Sequence, residues 1–208
     1  MCDDEIASDF DDICATTLEA PPVNSVALTQ RITRHAYLDK VNTLKAHIKK
    51  GDIYEANFCA EWFAGNATLH PVSVFHELND VSKPPFAAFV KWKQSYLASA
   101  SPERYLKKTG RMVMSQPIKG TSRRGSGETE DHELREALAS SAKERAENVM
   151  IVDLVRNDLS RTAAKGTVSV TELCRVYTFP QVHQMISTIT SELDLQYSAV
   201  DVIRTTFP

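Results

Sequence analysis

The sequence predicts an α+β fold, and three observations carry that expectation. Helical and strand-like segments occur in clumps instead of strict βαβ alternation. The runs RYLKK and RMVMSQ flank Thr109-Gly110 as a hairpin. A long helical pattern occupies roughly 131–161, with Leu134, Leu138, Val149 and Leu154 at its apolar positions and the helix-forming run AKERAE inside it.

The remaining elements follow in order. Residues 1–35 mix acidic clusters with SDFDD, ATT and APPVNS without a sustained period, and read as a tail or connecting segment. Tyr37, Val41, Leu44 and Ile48 then recur on one face of a helix that ends near Gly51. YEANFCAEWF reads as a strand turned by Gly65-Asn66, and VSVFHEL as a short helix stopped by KPP. FAAFVKWKQSYLASAS is strand-like throughout, rich in aromatic and β-branched residues. A loop over 120–131 precedes the long helix, and the strands TVSVTELCRVY and HQMISTITSEL follow it. VDVIRTTFP begins a last helix, which stops at proline.

Bulk properties exclude several classes. Across 208 residues, 42% are hydrophobic and 25% charged, the profile of a globular protein. A net charge of −3 gives no electrostatic footprint for nucleic acid. No run of about 18 apolar residues is present to form a membrane span. The acidic start MCDDEIASDFDD is unlike a secretory signal. Cys2, Cys14, Cys59 and Cys174 are widely spaced with no C-x-x-C pair, which argues against zinc and a disulfide framework and makes a reducing cytoplasm the expected location.

The chemistry-bearing residues gather around a few motifs. QPIKGTSRRG at 116–125 is not a phosphate loop, because its lysine precedes the glycine and no second glycine stands at the required distance upstream. Lys119 instead follows a strand end and Pro117 in a turn with Gly120 and Thr121. A strand so placed can aim the lysine into a cleft, where desolvation makes it a nucleophile or base; a solvated loop lysine is the alternative. Glu103, in ASPER, begins the hairpin strand that leads back towards Lys119 and could serve as its acid/base partner, or be a surface glutamate. Glu144 and Glu147 stand one helical turn apart, a spacing that suits either a hard cation or a solvated helix face. His183 sits in an apolar strand, where a histidine bonded to backbone is the bland reading. Asp153, Arg156, Asn157 and Asp158 read as a capping and ion-pair network.

Taken in order, GDIYEANF, ASPERYL, QPIKGTSRRG, AENVMIVDLVRNDLSR and FPQVHQMISTITSEL resemble the core of the chorismate-utilising enzymes. The resemblance covers 36–208 and is greatest to the aminodeoxychorismate synthase branch. It implies two packed β-sheets with flanking helices, incomplete at the C-terminus, with 36–208 forming part of the chorismate-binding catalytic domain. It further implies conversion of chorismate and ammonia to 4-amino-4-deoxychorismate, the ammonia coming from a glutamine amidotransferase subunit. In that reading Lys119, expected as alanine or another residue without an amine in the sister branches, attacks the ring at C2, and Glu103 is the general acid and base. Gly120, Thr121 and His183 would line the substrate pocket, and Glu147 with Glu144 would bind Mg²⁺.

The family continues past TTFP with a glycine-rich stretch, a substrate arginine and a second metal-binding glutamate. These lie outside the present sequence, so the resemblance implies weak or no catalysis by these residues alone and self-association through exposed sheet edges. The alternatives are anthranilate synthase component I and a non-catalytic fragment that binds a partner.

Overall fold

The computed structural model describes residues 26–53 and 55–207. Most of the expected tail, 1–25, therefore lies outside the described residues. The described residues form two units, one comprising those up to Lys83 together with Ala88–Ser99, the other Pro84–Ala87 and those from Ala100 onward.

In the first unit, helix α1 (Arg34–Lys50) begins at Thr33, whose side chain accepts the Ala36 amide, and ends at Gly51 with φ 80°. Strand β1 (Thr29–Gln30) pairs antiparallel with β2 (Trp62–Phe63). Of the strand expected over 54–63, the described residues are extended into a strand at Trp62–Phe63, where Thr29 and Gln30 supply the partner edge. Helix α2 (Pro71–Ser82) carries proline in its first turn, which needs no amide there, and stops at Lys83 in the left-handed region. The continuous run expected from Phe86 to Ser101 is instead a hairpin of β3 (Phe86–Trp92) and β4 (Ser95–Ser101). Its turn uses Lys93 at φ 55°, a residue type that gives no turn signal.

The second unit is built on one antiparallel sheet. The hairpin of β5 (Arg104–Thr109) and β6 (Met112–Gln116) forms as expected, with Gly110 at φ 58° in its turn. Strand β7 (Ile118–Arg123) extends into the segment expected as loop. Strands β8 (Ser169–Thr178) and β9 (Val182–Glu192) complete the sheet. β9 is its axis, with β8 along one edge and β6 and β7 end to end along the other. Pro117 separates those two, and its carbonyl still accepts the Ser187 amide at 3.2 Å.

The expected helix over 131–161 is two helices, α3 (Glu128–Ser140) and α4 (Ala142–Ser160). Ser141 breaks them: its backbone is extended and its hydroxyl accepts the Glu144 amide, so it caps α4 instead of continuing α3. Helix α5 (Ala199–Thr206) begins with a reciprocal Ser198–Asp201 capping box.

β9 is buried along almost its whole length. Ile189 and Leu193 pack with Val113, Val152, Leu159 and Val202 of β6, α4 and α5. Met185 packs with Leu138 and Cys174. Full burial of a side chain such as Ile189 or Leu159 stabilises by about 1.5–3 kcal/mol. Polar groups in this core are matched: Asn148 donates to the Met185 carbonyl at 3.3 Å and accepts from the Ser187 hydroxyl, which itself accepts the Cys174 amide at 2.8 Å. The expected α+β class, with sheets and flanking helices, is the class observed.

Candidate active site

The site is organised by an irregularity in β7. Ile118 pairs with Ile186 and Thr121 with Gln184, and the register shifts between them. Lys119 and Gly120 occupy that shift, with Gly120 at φ 91°, a conformation an L side chain rarely adopts. A Cβ on Gly120 would stand 3.1 Å from Glu144 Oε2 and 3.2 Å from Leu138 Cδ1. The bulge therefore lies against the first turn of α4, and Glu144 is brought to the loop that carries Lys119.

Glu103 reaches the same loop from the other side. It stands between β4 and β5, where the Ser101 hydroxyl accepts its amide at 3.3 Å. Its Oε1 accepts the Ile118 amide at 2.9 Å, one residue from Lys119. One carboxylate oxygen is thus committed to positioning, and Oε2 is the oxygen to consider for proton transfer. Glu103 also lines a cleft of about 340 Å³, together with Ser115 and Pro117 from the sheet and Ile151, Val155 and Asp158 from α4. Burial pushes the Asp158 carboxyl above its ordinary value, against the opposing pull of Arg161.

Glu144 and Glu147 share a face of α4, and Lys143 joins them: its Nζ lies 3.3 Å from Glu144 Oε1 and 3.5 Å from Glu147 Oε1. The two carboxylates, Glu144 before Glu147 in size of effect, raise the lysine above its usual value. Among the described residues, no group of three or more histidine, cysteine or acidic side chains gathers as a metal cluster. Two carboxylates already neutralised by a cation nevertheless match the oxygen chemistry of Mg²⁺, which takes one or two carboxylates and completes its shell with water or substrate oxygen.

Thr121 is exposed opposite Gln184. His183 has zero exposure. Its Nε2 lies 3.0 Å from Asp131 Oδ1 and its Nδ1 lies 2.9 Å from Thr178 Oγ1. An ionised carboxylate only accepts, so Nε2 carries a proton, and Nδ1 and the threonine hydroxyl share the second hydrogen bond. Both nitrogens are engaged within the interior, and neither is open to a ligand in this arrangement.

The residue that sequence reasoning missed is Asp131. Its carboxylate receives Arg124 Nε at 2.7 Å, Arg124 Nη2 at 2.8 Å, the Gly125 amide at 2.8 Å and His183. The Arg124 guanidinium first, and the Gly125 amide second, hold its carboxyl well below the usual carboxylate range. Neighbouring Glu130 is lowered to about 2, chiefly by the Ser126 hydroxyl and amide and then by Arg123. A Cβ on Gly125 would fall 2.2 Å from the Asp131 amide nitrogen, so only glycine fits this approach. The signal available in the sequence was an acid-rich first helical turn, Glu128, Glu130 and Asp131, directly after Arg123 and Arg124.

Residues 7–208 match the family of chorismate binding enzymes. The chain belongs to that family. It is 40% identical to aminodeoxychorismate synthase component 1 of Escherichia coli over 177 residues, 85% of this chain and 39% of that protein. An anthranilate synthase component 1 of Haloarcula marismortui is 35% identical over 194 residues, 92% of this chain and 40% of that protein. The anthranilate synthase component I structure from Streptococcus pneumoniae superposes with a TM-score of 0.80 at 23% identity, covering 100% of this chain and 47% of that one, a likeness of fold. Within the family the chain stands with the aminodeoxychorismate and anthranilate synthase component I proteins, and these likenesses do not separate the two. It spans about two fifths of the length of the curated relatives it matches. No helix among the described residues is long and apolar enough to cross a membrane.

Proposed function

We propose that this chain carries the chorismate-binding part of an aminodeoxychorismate synthase component I, with Lys119 as nucleophile and Glu103 as its acid/base. The observation that supports this best is the hydrogen bond from the Ile118 amide to Glu103 Oε1, which holds the carboxylate one residue from Lys119. In the proposed sequence the Lys119 amine bonds to C2 of chorismate, both conjugated ring double bonds shift round the ring towards C4, and the C4 hydroxyl leaves as water after taking a proton from Glu103. Ammonia then bonds at C4, both double bonds shift back, and the lysine amine departs from C2. Glu103 takes up the proton released. Gly120 and Thr121 would shape the pocket wall, and His183 would act through Asp131, as a support of the loop.

Glu144 and Glu147 would hold Mg²⁺, which when bound supplies a bridge to a carboxylate of the dianionic substrate. The ammonia source we propose is a glutamine amidotransferase subunit, and the chemistry would take place in the cytoplasm.

A second reading, anthranilate synthase component I, is supported by the Haloarcula marismortui relative, 35% identical. The aminodeoxychorismate reading is supported by Lys119 and by the 40% identity to the Escherichia coli relative. Incubation with chorismate, Mg²⁺ and ammonium, with product identification, separates them. Aminodeoxychorismate from the parent and none from Lys119→Ala supports the first reading. Anthranilate from both assigns the second. No product from either would point to a binding fragment.

A further inference from the structure

We propose that Lys143 is a tethered counter-ion of the Glu144–Glu147 pair, which a divalent cation must displace in order to bind there. The inference rests on the cation reading of that pair given above. Three observations support it, each independent of the others.

The first is position. The Lys143 ammonium lies 3.3 Å from Glu144 Oε1 and 3.5 Å from Glu147 Oε1, bridging two carboxylates one turn apart. That is the place a small cation shared by the two would take. The second is helix polarity. Ser141 caps α4, so Lys143 is the second residue of the helix, where the backbone dipole disfavours positive charge. The lysine is held there by the two glutamates and against the helix. The third is freedom to leave. The Lys143 side chain is 75% exposed, so its ammonium can swing into water, whereas Glu144 is only 25% exposed and its Oε2 faces the Gly120 backbone. Glu144 Oε1 is consequently the oxygen for which the ammonium and a metal compete.

Cation entry is then an exchange. With the lysine seated, the three groups carry a net charge of about −1; with it expelled, the pair presents about −2 to the incoming ion. The bare cation binds more weakly than two glutamates would otherwise allow. A substrate carboxylate that joins the cation offsets that loss, so metal and dianion bind best together.

The test is binding of Mn²⁺ alone, followed by the loss of the free-ion paramagnetic resonance signal, for this chain and for Lys143→Gln, Lys143→Met and Glu147→Gln. Both lysine variants should bind Mn²⁺ about three- to tenfold more tightly than the parent in 0.1 M salt. The gap should narrow as salt is raised. Their melting temperatures should match the parent's, since the lysine opposes the helix dipole. Glu147→Gln should bind more weakly. Parent binding with unchanged or weaker affinity in both lysine variants would sink the counter-ion role and leave the cation reading intact. Absence of Mn²⁺ binding in parent and variants alike would overturn both.

Discussion

Two charged clusters flank the Lys119 bulge, and they are built in opposite ways. Around Asp131, four donors converge on one carboxylate at 2.7–3.0 Å, on a buried histidine and beside a glycine that admits no Cβ. Three of these donors meet Oδ1 and one meets Oδ2, so both oxygens are engaged. Around Glu144 and Glu147, a single exposed lysine serves two carboxylates at 3.3 Å and 3.5 Å. The first cluster is densely bonded within the protein and holds its shape. The second retains unused oxygen lone pairs and can change partners. Acidic side chains therefore serve structure in one place and stay open to another partner in the other, and the difference lies in how many donors from the protein reach them.

That contrast can be broken experimentally, beginning with the largest effect. Gly125→Ala forces a methyl to 2.2 Å from the Asp131 amide and should destabilise the fold by more than about 3 kcal/mol, measured by denaturant unfolding. Asp131→Asn comes next. It keeps the shape but removes the charge, so Arg124 and His183 lose their partner and the melting temperature should fall by several degrees. The acid limb of stability should change as well. The carboxyls of Asp131 and Glu130 titrate lower in the folded chain than in the unfolded one, so the unfolded chain binds more protons between the two values. Their stabilisation is therefore complete above about pH 4.5 and is lost as pH falls towards about 2, where Glu130 protonates. Asp131→Asn should flatten this loss, and an unchanged acid limb would show that the cluster does not stabilise the fold as described.

Gly120→Ala should cost about 1–2 kcal/mol through its positive φ, while moving Glu144 away from the bulge. Glu147→Gln should leave the melting temperature within about 2 °C of the parent. A larger drop there would place the glutamate pair with the structural cluster.

Much of this was legible in the sequence. The hairpin through Thr109-Gly110, the end of α1 at Gly51 and the strand identity of β8 and β9 all follow from local signals. Ser141 was harder, because a serine inside a helical pattern is read as tolerated until its hydroxyl is seen capping Glu144. The turn at Lys93 carries no turn chemistry, so β3 and β4 merged into one run. In the site, Glu103, Lys119, Gly120 and Glu144 could be singled out by type and motif. What joins them is a register shift against β9 and an amide hydrogen bond, and neither leaves a mark in residue type. Asp131 was missed because it belongs to a helix start, where an acid is ordinarily explained by the dipole alone. His183 shows the reverse: chemically suggestive in sequence, and fully enclosed in the fold.

The end-to-end placement of β6 and β7 along β9 bears on when the chain becomes competent. Gln116 and Thr188, which bond across this edge, are 72 positions apart. The β5–β6 hairpin can close early from local contacts, but the bulge at Lys119 has no register to deviate from until β9 arrives. On a ribosome, the loop that carries Lys119 is therefore made well before the strand that gives it its register. A nascent chain would carry Lys119 and Gly120 in an unformed loop until β9, the strand that organises them, has emerged.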